Sequence, residues 1–562
     1  MDDAHRLLLD SKTVGPLPII NLFIDRLGLS DILGEHLPSR ASQKLPPSQA
    51  ILLFVRNILI ERQPLYQLSE WAGSYDPLLI GLGAAVATVL NDDRVGRSLD
   101  VLFDADRATL LTRIVLKVIQ EFSIDLSQLH NDSTTVTVSG QYASPRSVRK
   151  GKRSIALAHG KSKDFRPDLK QLLFSLTVSR DGAVPVHYKA FDGNTTDDRT
   201  HIIIWESLRR IAGRSDFLYV ADSKLCTREQ MDHLLKEGGR FISVLPETRK
   251  ECGWFYQWKH THAVDWKPLL KRRDYRHDGR FHRYRGFESP LPSQEGLRIL
   301  WIASSQKRDQ DIQTRQTRIE KTIQALDTLK GKVASRRSWT KERIGTAVSQ
   351  ILAKHRSEKW FAWKLISTDV VTFKQKGKGR PGKSSQYLKV VKQTWTFEAL
   401  PDPLAIRADA EKDGIFPLIT NIPATEMSMK EILLKYKYQP YIEKRHEQFK
   451  TVFDAAPVYL KLPHRIEALM FVYFVVLLLN SLIERELRLS MAKSGVPTLP
   501  LYPEERRCRF PTTARLIELF RNQRKHSLKE GPKQVRLFFD PLIEIQQTVL
   551  DLLKISKKDY TG

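Results

Sequence analysis

A mixed α/β sheet core, interrupted by a large insertion and flanked by helical regions, is the fold class this chain predicts. Three observations predict it. Three apolar segments rich in β-branched residues, between residues 129 and 188, are followed by alternating helical and strand-like segments to residue 245. That regularity is lost between residues 253 and 423. A helical pattern resumes near Ser428 and continues to Leu489.

Residues 1–122 read as helical, with apolar runs at 19–24 and 50–55 and loops such as Leu45-Pro46-Pro47-Ser48 between them. The first strand is 129–138, the second 172–178. A turn at Asp181-Gly182 leads to a third strand at 184–188, whose Pro185 suits a strand start. A helix over about 198–211 follows, then a strand at 217–221 ending at Asp222. Thr227 and Gln230 form a capping-box pattern opening a helix at 227–237, and 241–245 is a fifth strand. Three strands followed by alternating helix and strand is the order of a ribonuclease-H-like core, whose first part is 123–250. Residues 251–425 form the insertion domain, β-rich and helical. It has a strand at 298–302, a charged helix from about 309 to 329 able to pair with 340–355, and a flexible basic loop at 374–383. Residues 426–490 complete the core, and 491–562 form a helical C-terminal region.

The 562 residues carry 91 Lys and Arg against 64 Asp and Glu, a net charge of +27. With 41% hydrophobic and 28% charged residues, wholesale disorder is excluded. So large a surplus repels itself unless a polyanion relieves it, which makes nucleic acid the leading partner. An anionic membrane is the competitor. The most apolar stretch, 468–479, is shorter than the roughly 20 residues a bilayer span needs, so it reads as a buried core helix. The opening Met-Asp-Asp-Ala-His-Arg lacks the pattern of a secretion signal. Cys226, Cys252 and Cys508 are too few and scattered for a disulfide framework or paired zinc site, and a reducing cytoplasm is expected.

Walker, His-Glu-x-x-His and Gly-x-Ser-x-Gly motifs are absent from the sequence. What remains are isolated carboxylates. Asp132 sits in the first strand and Asp222 at the C-terminal end of the fourth, the end where open α/β sheets bind ligands. Carboxylates gathered there need a cation. Two Mg²⁺ or Mn²⁺ ions could activate water and stabilise a leaving oxygen at a phosphodiester. Taken singly, each aspartate reads more readily as a turn or cap residue than as a ligand. Tyr436, Glu443 and Lys450 recur every seven residues, so a continuous helix would place them on nearly one face. A solvated stripe on an ordinary helix is the bland reading. If the helix starts at Pro440, Tyr436 lies in the preceding segment.

These residues resemble bacterial insertion-sequence DDE transposases, of the insertion-sequence-4-like family with its YREK signature, Tyr-x2-Arg-x3-Glu-x6-Lys. Tyr436, Glu443 and Lys450 match its spacing, with Gln439 at the arginine position. Asn131-Asp132-Ser133-Thr134 and Val220-Ala221-Asp222-Ser223 are similar to the two aspartate strands, and Phe191-Asp192-Gly193-Asn194-Thr195-Thr196-Asp197 to a Gly-Asn-x-x-Asp element. Lys161-Ser162-Lys163-Asp164-Phe165-Arg166-Pro167-Asp168-Leu169-Lys170-Gln171 looks like a segment of a long-insertion subgroup. The resemblance covers roughly residues 124–490. It implies a metal-binding triad of Asp132, Asp222 and Glu443 holding two Mg²⁺ or Mn²⁺ ions, with Glu447 the rival for Glu443, and Asp197 and Asp198, read as caps, the rivals for Asp222. It implies strand cleavage and strand transfer on double-stranded DNA by a homodimer or larger synaptic complex, away from any membrane, in a bacterial, nucleoid-associated setting. Tyr436, Gln439 and Lys450 would contact the DNA.

Basic segments complete the reading. Residues 271–285 interleave cations with aromatics, which suits phosphate neutralisation with base stacking. Arg273, Arg276, Arg283 and Arg285 are the candidates there, with strand alternation placing Arg283 and Arg285 opposite Tyr284. Lys376, Lys378 and Arg380 in the basic loop, and the segment 145–153, are further candidates. The first 122 residues are assigned to DNA reading by position. The resemblance implies that a tryptophan of the insertion, one of Trp254, Trp258, Trp266 and Trp301, stacks on a flipped base, although each taken singly reads more readily as core. The rival functions are a repurposed, non-catalytic DNA-binding protein and a ribonuclease-H-like nuclease that does not join.

Overall fold

The computed structural model describes residues 7–40, 43–82, 90–274, 279–335, 339–530 and 533–561. The chain forms two compact units. The first comprises 1–244, 420–426 and 431–562; the second comprises 245–419 and 427–430.

In the first unit, five strands run in the order Pro185–Phe191, Lys170–Ser179, Gln128–Val138, Leu218–Val220 and Arg240–Val244. The first three are antiparallel neighbours, and the last three are joined by parallel pairings. Parallel neighbours cannot be linked by a hairpin, so the helices His201–Ala212 and Arg228–Lys236 make the connections. The central strand, Gln128–Val138, is covered on both faces. Of its eleven residues only Asp132 is not fully buried. Thr227 stands at the N-cap position of the second connecting helix but makes no side-chain capping bond, so the expected capping box does not form.

The apolar 468–479 stretch lies within a much longer helix, Pro463–Lys493, of 31 residues. It is long and apolar enough to cross a bilayer, yet 94% of its most apolar window is buried inside the protein, as a core helix requires. The helices Pro47–Ile60 and Asp92–Asp104 pack on it, so the N-terminal region shares this core. Neither terminal region is wholly helical. Leu7–Thr13 pairs with Arg524–Glu530, which pairs in turn with Lys533–Phe539. The Arg-Lys-His-Ser-Leu-Lys-Glu strand carries almost no apolar alternation, so the period that reveals strands is missing from it.

The second unit holds the strands Lys267–Arg273, Phe281–Glu288, Arg298–Ser304 and Ile415–Thr420. Its helices Ser305–Ser335 and Lys341–His355 pack together as the sequence predicts, around a cluster including Ile319, Leu326, Val348, Trp360 and Phe397. Phe361–Gln375 and Tyr387–Pro401 form a long antiparallel hairpin. Its tip is the expected basic loop.

Candidate active site

Asp132 and Asp222 project from adjacent parallel strands of the first unit. Asp132 Oδ1 accepts from its neighbour's Ser133 N–H at 2.8 Å. Asp222 follows the strand Leu218–Val220 and caps the short turn Ser223–Leu225, accepting from Lys224 N–H at 3.0 Å. Its carbonyl accepts from Ser243 Oγ at 2.6 Å, which ties it to the next strand. Each aspartate faces a buried histidine. His446 Nε2 is 3.7 Å from Asp132 Oδ2, and His201 Nε2 is 3.8 Å from Asp222 Oδ1. Those distances are too long for hydrogen bonds, and both Nε2 atoms lack a partner. Burial lowers the pKa of both rings, His446 to about 3, so both are neutral near pH 7.

The signature segment is not one helix. It divides into Met429–Tyr436, then Pro440–Glu447 with proline at its start, then a π-helical turn over Gln448–Val452. Tyr436 therefore reaches the site from the preceding helix. Gln439, Glu443 and His446 follow helical spacing and share one face. Gln439 Nε2 donates to the Asn131 carbonyl at 3.1 Å, its Oε1 lies 2.8 Å from His130 Nδ1, and His446 stands over Asp132. Glu443 sits between these two contacts. On the opposite side, the Arg445 guanidinium pairs with Glu484 at 2.8 Å and donates to the carbonyls of Gly182 and Ala183, pinning the helix to the core.

The electrostatics connect the pieces. Burial raises the Tyr436 phenol to about 12, reinforced by the charges of Asp222, Glu443 and Asp132. All three carboxylates thus act on one hydroxyl, whereas Glu447 does not figure among them. Burial also raises the Asp132 carboxyl to about 7; Lys163 opposes this, while Asp222 and Asp197 add to it. Among the described residues, no group of three or more His, Cys, Asp or Glu side chains forms a metal-binding cluster.

Asp197 is more than a cap. The N-cap position of the turn Asp197–Arg199 is Thr196, and the Asp197 side chain accepts from Ser133 Oγ at 2.7 Å and pairs with Lys163 at 3.1 Å. Lys163 also donates to the Ser133 carbonyl at 2.6 Å. The next residue, Asp164, pairs with Lys450. Lys163 and Asp164 were read only as part of the 161–171 segment, and His201 and His446 were not singled out, because their partners are remote in the chain. Gln439 is corrected outright. It is 7% exposed with its amide committed to His130 and Asn131, so it braces the strand and is not a DNA contact.

The second unit holds the other candidates. Arg273, Arg283 and Arg285 are exposed while Tyr284 is buried, the alternation expected of these strands. The Arg285 guanidinium lies 6.0 Å from the Trp266 ring. Arg276 lies outside the described residues. Lys376, Lys378 and Arg380 are exposed at the hairpin tip. Trp301 is fully buried and stacks on Phe255 at 3.7 Å, a core role; Trp254, Trp258 and Trp266 are only partly buried.

A family model described as "Domain of unknown function (DUF4277)" matches residues 9–116. No curated protein matches the chain. Among solved structures the chain is similar to a piggyBac transposase synaptic complex with hairpin DNA, at 8% identity and a TM-score of 0.36, covering 90% of this chain and 79% of that one. It is also similar to the Mos1 transposase paired-end complex with left transposon end, at 11% identity and a TM-score of 0.14, covering 36% and 60%. Likeness at this level leaves the function to be argued from the side chains.

Proposed function

We propose that this chain is a DNA transposase that binds the terminal repeats of an insertion sequence, cuts the DNA strand and joins the released end to target DNA. The observation that carries the reading is geometric: Asp132 and Asp222 lie at matching positions on adjacent parallel strands, and the helix face bearing Glu443 is seated on the Asp132 strand through Gln439 and His446. Carboxylate oxygens gathered at one place suit a hard divalent cation, and the Asp132 carboxyl is raised chiefly by burial, with Asp222 and Asp197 adding to it against Lys163. Asp132, Asp222 and Glu443 would hold two Mg²⁺ or Mn²⁺ ions. Bound there, the ions would activate water and stabilise the leaving 3′ oxygen. Tyr436, protonated at neutral pH, would donate to a phosphate oxygen. Lys450 would exchange Asp164 for a phosphate. The 3′-hydroxyl released by cleavage would attack the target phosphodiester in line, one P–O bond forming as another breaks.

The test is cleavage and joining of terminal-repeat DNA with Mg²⁺, comparing wild type with Asp132→Asn, Asp222→Asn and Glu443→Gln. Binding retained with cleavage lost in all three is expected. Normal activity in any one removes that residue from the triad. Cutting without joining identifies a nuclease, and wild-type binding without cutting a non-catalytic DNA-binding protein.

A further inference from the structure

A cleft of about 1160 Å³ in the first unit has no part in the site just described. Its cations are Arg40, Lys44, Arg94, Arg97, Arg149 and Lys150, against two carboxylates, Asp100 and Asp104. They come from three places. Arg94 and Arg97 lie on one face of the helix Asp92–Asp104, Arg40 and Lys44 on the loop before the helix Pro47–Ile60, and Arg149 and Lys150 on the hairpin Val148–Arg149/Lys152–Arg153.

The two carboxylates are already committed. Asp100 is held by Arg465 at 2.7 Å and His464 at 2.8 Å. Arg465 reaches it by crossing Gly96, where any Cβ would stand 2.5 Å from its guanidinium. That close approach accounts for a mid-helix glycine that otherwise costs about 1 kcal/mol. Asp104 is paired with Arg149 at 2.8 Å and Lys150 at 2.9 Å. Lys152, behind them, donates to the carbonyls of Phe103 and Ala105, so the hairpin also serves the helix's C-terminal end. These contacts account for Arg149 and part of Lys150. They leave Arg40, Lys44 and Arg94, which make no ion pair among the described residues. Arg97 has only an exposed pair with Asp93, a weak hold.

We infer that this cleft is a second DNA site, which grips the sugar–phosphate backbone of a duplex through Arg40, Lys44, Arg94 and Arg97. Among the described residues its lining contains no aromatic side chain on which an unpaired base could stack, which favours the duplex over a single strand. Its volume far exceeds that of a lone phosphate, and its uncommitted charge suits a run of them. The inference rests on DNA being the substrate and goes beyond it, because it assigns binding to residues remote in sequence from every catalytic candidate.

The test uses the full-length chain carrying Asp132→Asn, so that nothing is cut, and a labelled duplex of arbitrary sequence across a salt series. Replacing Lys44, Arg94 and Arg97 by alanine should flatten the slope of log K against log salt by roughly two to three, since each neutralised phosphate contributes about 0.9. Affinity should fall about 10- to 100-fold, with unchanged melting. The charge reversal Arg94→Glu, which leaves the helix face intact, should do more than Arg94→Ala. An unchanged slope in the triple variant overturns the cleft, and an equal loss on a single strand overturns the duplex assignment. A full slope effect in a chain whose wild type never cuts upholds the cleft and removes the catalytic reading. An unchanged slope in a chain that does cut removes the cleft alone.

Discussion

Asp132 and Asp222 each stand two residues beyond a directly paired couple, His130 and Val220, on adjacent parallel strands, so the two carboxylates leave the sheet at the same level. Neighbouring strands lie about 4.8 Å apart, and side chains at matching positions share a face. Burial, with Asp222 and Asp197 nearby, raises the Asp132 carboxyl from 3.8 to about 7.

That shift sets the first prediction. A carboxyl whose folded pKa lies above its unfolded value stabilises the fold below the unfolded pKa, and the benefit is lost as pH rises to about 7. Above that window Asp132 is a charge the fold tolerates at a cost. Asp132→Asn should therefore stabilise the fold above pH 7 in the presence of a chelator by about 1–3 kcal/mol, read as a higher melting temperature, the ceiling being near 4 at 1.36 kcal/mol per unit. Mg²⁺ should stabilise wild type and have much less effect on the variant. Equal melting of the two in chelator counts against the crowding of these carboxylates.

Lys450 and Asp164, both partly buried, form an ion pair that any phosphate approaching Lys450 must displace. Asp164→Asn should tighten duplex binding about three- to tenfold at low salt, and Lys450→Ala should weaken it. In a double-mutant cycle the gain from Asp164→Asn should vanish once Lys450 is alanine. A gain that survives in the Lys450→Ala background would show that Asp164 acts through general charge.

How far the sequence carried this picture depends on the range of each signal. The central hairpin was legible because Lys170–Ser179 and Pro185–Phe191 are apolar runs joined by a local Asp181-Gly182 turn, and Gly182 does take a φ of +78°. Asp222 was legible because the end of the strand before it is visible in the sequence, and Asp132 because it is the lone carboxylate in a strand rich in β-branched residues. The Asp197–Ser133–Lys163 contacts were not, since each links segments tens of residues apart whose meeting only the sheet decides. Gln439 was misjudged for a related reason. A glutamine in a run of charged and aromatic residues gives no sign that its neighbours are His130 and a strand carbonyl.

Asp100 offers a pH prediction far from the carboxylate cluster. Burial pushes its pKa up, but the bonds from Arg465 and His464 outweigh that, and the net shift is downward. A depressed carboxyl adds stability above its unfolded pKa and loses it as pH falls through the folded value. Wild type should therefore lose this contribution below about pH 4, near the ordinary carboxylate range. Asp100→Asn, which strands the Arg465 guanidinium against Gly96, should cost about 1–3 kcal/mol of stability at pH 7 and so melt lower. The difference between the two proteins should shrink toward pH 3. A gap independent of pH would assign the loss to packing.

Gln439 occupies the position where the resembling family carries arginine, and its surroundings make a distinct prediction. His130, against which its amide rests, is held neutral chiefly by burial, which with the charges of Arg180 and Lys435 lowers its pKa to about 4 against the opposing effect of the Gln439 bond. A guanidinium placed there would find no carboxylate among the partners of Gln439, and would face cations already present. Gln439→Arg should cost about 2–4 kcal/mol of stability, the scale of an unpaired buried charge that can relax partly toward water. Gln439→Leu leaves His130 Nδ1 and the Asn131 carbonyl without their partner and should cost less, about 1–3 kcal/mol. Both substitutions loosen the helix that presents Glu443 to the strand carrying Asp132, so cleavage should fall further than duplex binding in each. Thermal melts and cleavage rates measured on the same preparations check this. If Gln439→Arg instead binds DNA more tightly at full stability, the side chain has found a path to the surface and the bracing role assigned to Gln439 is wrong.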